Sequence, residues 1–297
     1  MAKATLLFIA VLVAAASCLL PVSKAQSNMS IFSNYFNSIW SGNLVSSNPN
    51  GEIWYLALTN ATGCGFQSNN KYIFGWFSMK LKLVGGNSAG VVTTYYMCSE
   101  NGAGPTRDEL DFEFLGNVTG QPYILQTNVF KDGIGGREMR HFLWFDPTED
   151  FHDYSILWNN HQIVFFVDKV AIRIYQNTNY TNNFFPNAKA MYQFASIWNG
   201  DSWATEGGQI KTNWANAPFV SSYTNYNVSG CLWQDPSPAC LSTTTLNWWD
   251  QSPAWQLSAA QLEDYHWAQR NFCVYYYCTD TARYPTPPPE CSVNPFP

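Results

Sequence analysis

Charge is scarce in this chain. Asp, Glu, Lys and Arg together make up 12% of its 297 residues, against about 25% in an ordinary soluble domain. Basic residues are the scarcer sign, 15 against 21 acidic, for a net charge of −6. A phosphate backbone would meet no basic excess able to displace its counterions, so no nucleic-acid partner is expected. Long apolar runs are absent after residue 26, where none approaches the roughly 20 residues that cross a bilayer. No Cys-x-x-Cys pair occurs and no His stands at ligand spacing from a Cys, so neither a metal nor another cofactor is expected. No helical period persists before residue 250, and no internal repeat is visible. What is abundant is aromatic: 13 Trp, 17 Tyr and 20 Phe, or 17% of the chain, which argues against disorder. The length permits one large β domain or two smaller ones.

The first 25 residues read differently. Lys3 precedes an apolar run from Leu6 to Leu20, followed by Pro21-Val-Ser-Lys-Ala25 with small Ser23 and Ala25 at a cleavage point. This is the pattern of a secretory signal peptide over 1–25, too short to span, so no membrane attachment is expected after its removal. Secretion permits disulfides, and Cys18 leaves with the leader, so an odd number of cysteines remains: Cys64, Cys98, Cys231, Cys240, Cys273, Cys278 and Cys291. Cys231 with Cys240 and Cys278 with Cys291 flank Pro-containing segments and are expected to pair, each loop closure contributing roughly 2 to 3 kcal/mol. Cys64 and Cys98 lie in different strand-like runs and could form a third bridge, leaving Cys273 alone. A monomer is expected, although an odd thiol leaves a covalent dimer open. Asn-x-Ser/Thr sequons occur at Asn28, Asn60, Asn117, Asn179 and Asn227.

Most of the chain reads as strand after strand. Glu52 to Leu58, Trp76 to Leu83, Gly90 to Met97 and Gln162 to Asp168 are β-branched and aromatic, separated by Gly, Asn, Pro and Asp clusters. In Ser78 to Leu83 the apolar Met79, Leu81 and Leu83 alternate with Ser78, Lys80 and Lys82. The expected fold class is all-β, an antiparallel sandwich from about 26 to 222. A disulfide-tied extension over 223–297 is expected to contain a short helix. Ser258-Ala-Ala-Gln261 is its capping box, and Leu262, Tyr265 and Ala268 form its apolar stripe.

Residues 108 to 116, Asp-Glu-Leu-Asp-Phe-Glu-Phe-Leu-Gly, concentrate chemistry on one strand. Successive side chains alternate faces, so Glu109, Asp111 and Glu113 share one face and Leu110, Phe112 and Phe114 the other. Three crowded carboxyls cost like-charge repulsion in a chain otherwise poor in charge. Glu109 and Glu113 stand roughly 13 Å apart at Cα and can lean inward to the roughly 5 to 5.5 Å carboxyl separation of retaining glycoside hydrolysis. Their coupling predicts that one member holds a proton and serves as general acid.

The same segment with Asn117-Val-Thr119 closely resembles the active-site signature of plant xyloglucan endotransglucosylase/hydrolases, in glycoside hydrolase family 16. The resemblance continues in Gln126 to Phe130, Arg137-Glu138, Leu143 to Thr148, Phe151 to Asn159, Trp198 to Thr205, Lys211 to Trp214, Ala217 to Phe219, Tyr277 to Asp280 and Arg283 to Pro285, across essentially all of the chain after the leader. It implies a curved jelly roll whose concave face is an open cleft for a β-1,4-glucan. By motif position Glu109 would be the nucleophile, Glu113 the acid/base and Asp111 the residue positioning the nucleophile. Gln126, Asn128, Glu138, Trp198, Trp203 and Arg283 would bind substrate, and Asn117 would carry the glycan. The implied activity cleaves xyloglucan and transfers it from a donor chain to an acceptor chain in the plant cell wall or apoplast. A mainly hydrolytic enzyme, an enzyme of another β-glucan, and a non-catalytic wall-polysaccharide binding protein are the alternatives. One departure stands beside the catalytic strand: Arg107 occupies a position where the family usually has His. Cys64, Cys98 and Cys273 are also unusual for it.

Overall fold

The computed structural model of the protein describes residues 31–100, 104–178, 183–234, 238–242 and 244–293. The expected leader and the sequons Asn28 and Asn179 lie outside them. Fourteen strands form among the described residues: β1 (Phe36–Trp40), β2 (Val45–Ser47), β3 (Ile53–Leu58), β4 (Cys64–Lys82), β5 (Val91–Cys98), β6 (Glu109–Leu115), β7 (Ile124–Phe130), β8 (Met139–His141), β9 (His152–Trp158), β10 (Gln162–Val167), β11 (Val170–Gln176), β12 (Met191–Asn199), β13 (Phe219–Leu232) and β14 (Cys273–Tyr276). All pairings between them are antiparallel.

The strands make a two-layer sandwich that shares one long strand. The first half of β4 pairs with β12, and β5, β6, β7, β8 and β14 follow in that order. The second half pairs with β9 and β13, and β10 and β11 continue that layer. Near the change of partner, Phe74 and Gly75 adopt φ of 63° and 140°. A Cβ on Gly75 would lie 2.4 Å from the Cα of Gly230 on β13, a contact only glycine avoids. The sequence reading began a strand at Trp76; the backbone instead runs unbroken from Cys64.

The alternation anticipated in β6 sets the layers face to face. Leu110, Phe112 and Phe114 are fully buried. Phe112 meets Phe165 of β10 edge-on at 5.2 Å and Phe114 meets Tyr154 of β9 at 4.6 Å. Aromatic pairs in this geometry contribute about 0.5 to 1.5 kcal/mol each beyond area burial. Met79, Leu81 and Leu83 are buried in the same core.

The expected division at 222/223 falls inside β13, which is ladder-paired on both sides of it. Beyond β13, Cys231–Cys240 and Cys278–Cys291 are disulfides. Helix Ala259–Phe272 opens with the anticipated capping box: Ser258 Oγ accepts from the Gln261 amide, and Gln261 Oε1 accepts from the Ser258 amide. Its docking stripe differs from the one expected. Tyr265, Ala268 and Gln269 are buried, while Leu262 is 37% exposed. Gln269 donates to the Ile172 carbonyl at 2.6 Å, so the helix sits on β11 rotated toward that polar contact. Cys64 and Cys98 form no bridge. Register on β12 explains why: Cys64 is opposite Ile197, whereas Cys98 is opposite Tyr192, about 17 Å along the strand and beyond disulfide reach.

Candidate active site

Cross-strand register lays the concave face out in rows. Cys98, Glu109 and Phe130 make one row; Tyr96, Asp111 and Asn128 the next; Thr94, Glu113, Gln126 and Arg140 the third. Ser196 and Trp198 extend the face onto β12. Together with Arg107, Glu138 and Trp203 these side chains line a cavity of about 390 Å³, all but Cys98 contributing to its surface. The structure thus brings together Glu109, Asp111, Glu113, Gln126, Asn128, Glu138, Trp198 and Trp203. Arg283 stands outside that lining but reaches it, donating from Nη1 to Glu138 Oε2 at 2.7 Å.

The three carboxyls are not equivalent. Arg107 Nε donates to Glu109 Oε2 at 2.8 Å, its guanidinium lies over the Phe130 ring at 4.4 Å, and Nη1 donates to the Gly104 carbonyl at 3.2 Å. Asp111 is buried, and burial followed by the charges of Glu109 and Glu113 pushes its carboxyl well above the usual range. That push favours the protonated form, which can donate the hydrogen bond to Glu109. Burial pushes Glu113 up to about 7; the Gln126 hydrogen bond opposes this, Glu109 and Glu138 add to it, and Arg140 opposes it. The face therefore holds a carboxyl paired with a cation, a bridging carboxyl pushed toward its protonated form, and an acid raised to about 7.

A hydrogen-bond relay fixes Glu113. Arg140 Nε donates to Gln126 Oε1 at 2.7 Å, which turns the Gln126 amide so that Nε2 donates to Glu113 Oε2 at 2.6 Å. Asn128 Oδ1 accepts from the amides of Val129 and Arg137, both at 2.9 Å, leaving its N–H pair as the donor side. Trp198 and Trp203, both half-buried, lie 6.0 Å apart with planes tilted by 43°, offering apolar faces of the kind sugars stack on. Asn117 follows β6 after Gly116; its half-buried side chain donates from Nδ2 to the Pro122 carbonyl at 3.1 Å. Among the described residues no group of three or more His, Cys, Asp or Glu could hold a metal ion.

Tyr96, Phe130, Arg140, Thr94 and Ser196 are cleft residues that motif reading passed over. Their placement follows from strand alternation once the cross-strand register is known, which the local sequence of these strands does not state. Cys98, beside Glu109, and Cys64 and Cys273 all have thiols raised by burial, the latter two to about 11.

Comparison with known proteins follows the same outline. Residues 32–216 match the model of glycosyl hydrolases family 16, and residues 243–291 match the xyloglucan endo-transglycosylase C-terminus. "Probable xyloglucan endotransglucosylase/hydrolase protein 8" of Arabidopsis thaliana is 62% identical over 294 residues, covering 98% of this chain and 95% of that one. "Xyloglucan endotransglucosylase protein 34" of Populus tremula x Populus tremuloides is 46% identical over 260 residues, covering 88% and 87%. A Bacillus licheniformis β-glucanase shares the fold with a TM-score of 0.54 at 21% identity, over 67% of this chain and 92% of that one. With a family model matching β1 to β12, a second spanning the helix and its disulfide-tied tail, and identity sustained along nearly the whole length, the chain belongs to glycosyl hydrolases family 16, among its xyloglucan endotransglucosylase/hydrolases.

Proposed function

We propose that this protein is a secreted, monomeric, retaining enzyme that cuts the β-1,4-glucan backbone of xyloglucan and passes the cut end to another xyloglucan chain in the plant cell wall. The cleft face of β6 carries the reading: Glu109, Asp111 and Glu113 stand in one row-by-row array, with Glu113 held near neutrality and Glu109 beside a guanidinium. Glu109 attacks the anomeric carbon as Glu113 protonates the departing oxygen, forming a glycosyl-enzyme. Glu113, now a carboxylate, takes the proton of the incoming hydroxyl, and the configuration is restored. Asp111 holds Glu109 in line through the hydrogen bond between them.

Gln126, Asn128, Glu138 and the indoles of Trp198 and Trp203 bind the glucan. Arg283, delivered by the extension onto Glu138, lengthens the acceptor side. Positioned sugar hydroxyls compete with water through proximity, which favours transfer over hydrolysis. Asn117 carries an N-glycan, and the leader over 1–25 routes the protein outward. Relatives named for xyloglucan support the substrate class.

The deciding assay follows incorporation of a labelled xyloglucan oligosaccharide into polymer alongside release of reducing ends. Incorporation is expected to dominate. Release alone indicates a hydrolase, and neither indicates a binding protein. Glu109→Ala should abolish both by about 10⁴-fold or more; full turnover in that variant ends the assignment.

A further inference from the structure

The cation next to Glu109 has a consequence for the covalent step. That consequence follows from Glu109 acting as the nucleophile of the proposed reaction. Arg107 is not a loose surface charge: its side chain is 16% exposed and that of Glu109 12%. Three contacts, to Glu109, Phe130 and the Gly104 carbonyl, hold the guanidinium in one place. A guanidinium stays charged at any working pH.

We propose that Arg107 is a positioning residue that shortens the life of the glycosyl-enzyme, favouring the free carboxylate over the covalent adduct. In the first step a bond forms between a Glu109 oxygen and C1 of the sugar. The C1–O bond to the leaving chain breaks with its electron pair, and the leaving oxygen takes the Glu113 proton. The negative charge of Glu109 is consumed, so the ion pair with Arg107 is lost, while positive charge develops at the anomeric centre nearby. Loss of the ion pair raises the energy of the adduct relative to free enzyme, whereas the positive charge at the anomeric centre belongs to the transition states and is gone in the neutral adduct. In the second step the acceptor oxygen bonds to C1, its proton passes to Glu113, and Glu109 departs with its electron pair to regain Arg107. Arg107 therefore opposes the covalent bond and rewards its release. Asp111 in its protonated form carries no full charge, so its charge-assisted hydrogen bond to Glu109 changes less than the ion pair when the carboxylate becomes an ester.

The test uses the full secreted protein, a xyloglucan oligosaccharide donor without added acceptor, and rapid acid quench followed by intact mass measurement at pH 7. The fraction carrying a glycosyl adduct should rise about five- to tenfold in Arg107→Gln. Arg107→Met, uncharged at every pH, should rise likewise and keeps an apolar stem over Phe130 should the Gln variant fail to fold. Arg107→Lys, which keeps the charge, should stay within about twofold of the parent. An unchanged or reduced adduct in both neutral variants, with melting temperatures intact, overturns the proposal, as does an equal rise in the Lys variant. Adduct present in the parent but indifferent to residue 107 removes only this inference. Turnover with no adduct in any form, or turnover surviving Glu109→Ala, removes the proposed nucleophile and this inference with it.

Discussion

Adjacent residues of β6 live in opposite media. Leu110, Phe112 and Phe114 are sealed against β9 and β10, whereas Glu109 and Glu113 face the cleft and keep partial exposure. The inner side gains free energy from burial; the outer side is assembled at the expense of it, since three carboxyls in a row repel and two of them are driven toward protonation. Alternation lets one seven-residue segment do both, and it separates two kinds of damage: changes on the cleft side should cost rate, changes on the core side should cost stability.

The largest expected effect breaks the outer side alone. Glu113→Gln should lower turnover by about 10² to 10⁴-fold while leaving the fold intact. Its stability should also respond to pH with a definite sign. Burial raises Glu113 from 4.5 to about 7 in the folded protein, so the folded state prefers the protonated acid. The parent is unpenalised below pH 4.5 and loses stability as pH rises through about 7. Melting curves at pH 4.5 and 7.5 should show the variant gaining on the parent at the higher pH; a variant that instead loses ground on the parent contradicts the buried-acid picture.

Next in size is Phe112→Ala, on the other side. Removal of a fully buried ring should cost about 3 to 5 kcal/mol in denaturant unfolding. A loss below about 1 kcal/mol would mean the inward face is not the core. The smallest effect sharpens the division further. Arg140→Met removes both the donor that orients Gln126 and a cation near Glu113. The alkaline limb of kcat/KM should move upward by about one pH unit or less, with little change in melting temperature. A downward move would sink the relay.

The features readable from the chain were those encoded over short spans. Period-two alternation exposed the two sides of β6, the Ser258/Gln261 pair marked a helix start, and cysteines bracketing Pro-containing loops marked both disulfides. What escaped was cross-strand information. Tyr96 and Arg140 enter the cleft because the ladder sets them opposite Asp111 and Gln126, and nothing local to residues 96 or 140 states that register. The Cys64–Cys98 bridge was left open for the same reason. Leu262 was placed in the docking stripe because helical spacing defines a stripe but not which neighbour it meets, and the neighbour turned out to offer the Ile172 carbonyl to Gln269. Arg107 was noted as unusual; its grip on Glu109 required coordinates.

Strand β14 has an effect beyond carrying residues toward Arg283. Without it, the three-residue β8 would present an open row of amides and carbonyls at the rim of the cleft layer, an invitation to edge-to-edge aggregation. The extension covers that rim with its own backbone, and the proline-rich stretch from Pro285 to Pro289 that follows offers few amides for another chain to grasp. The tail thereby moves the open edge of that layer from β8 out to the four residues of β14.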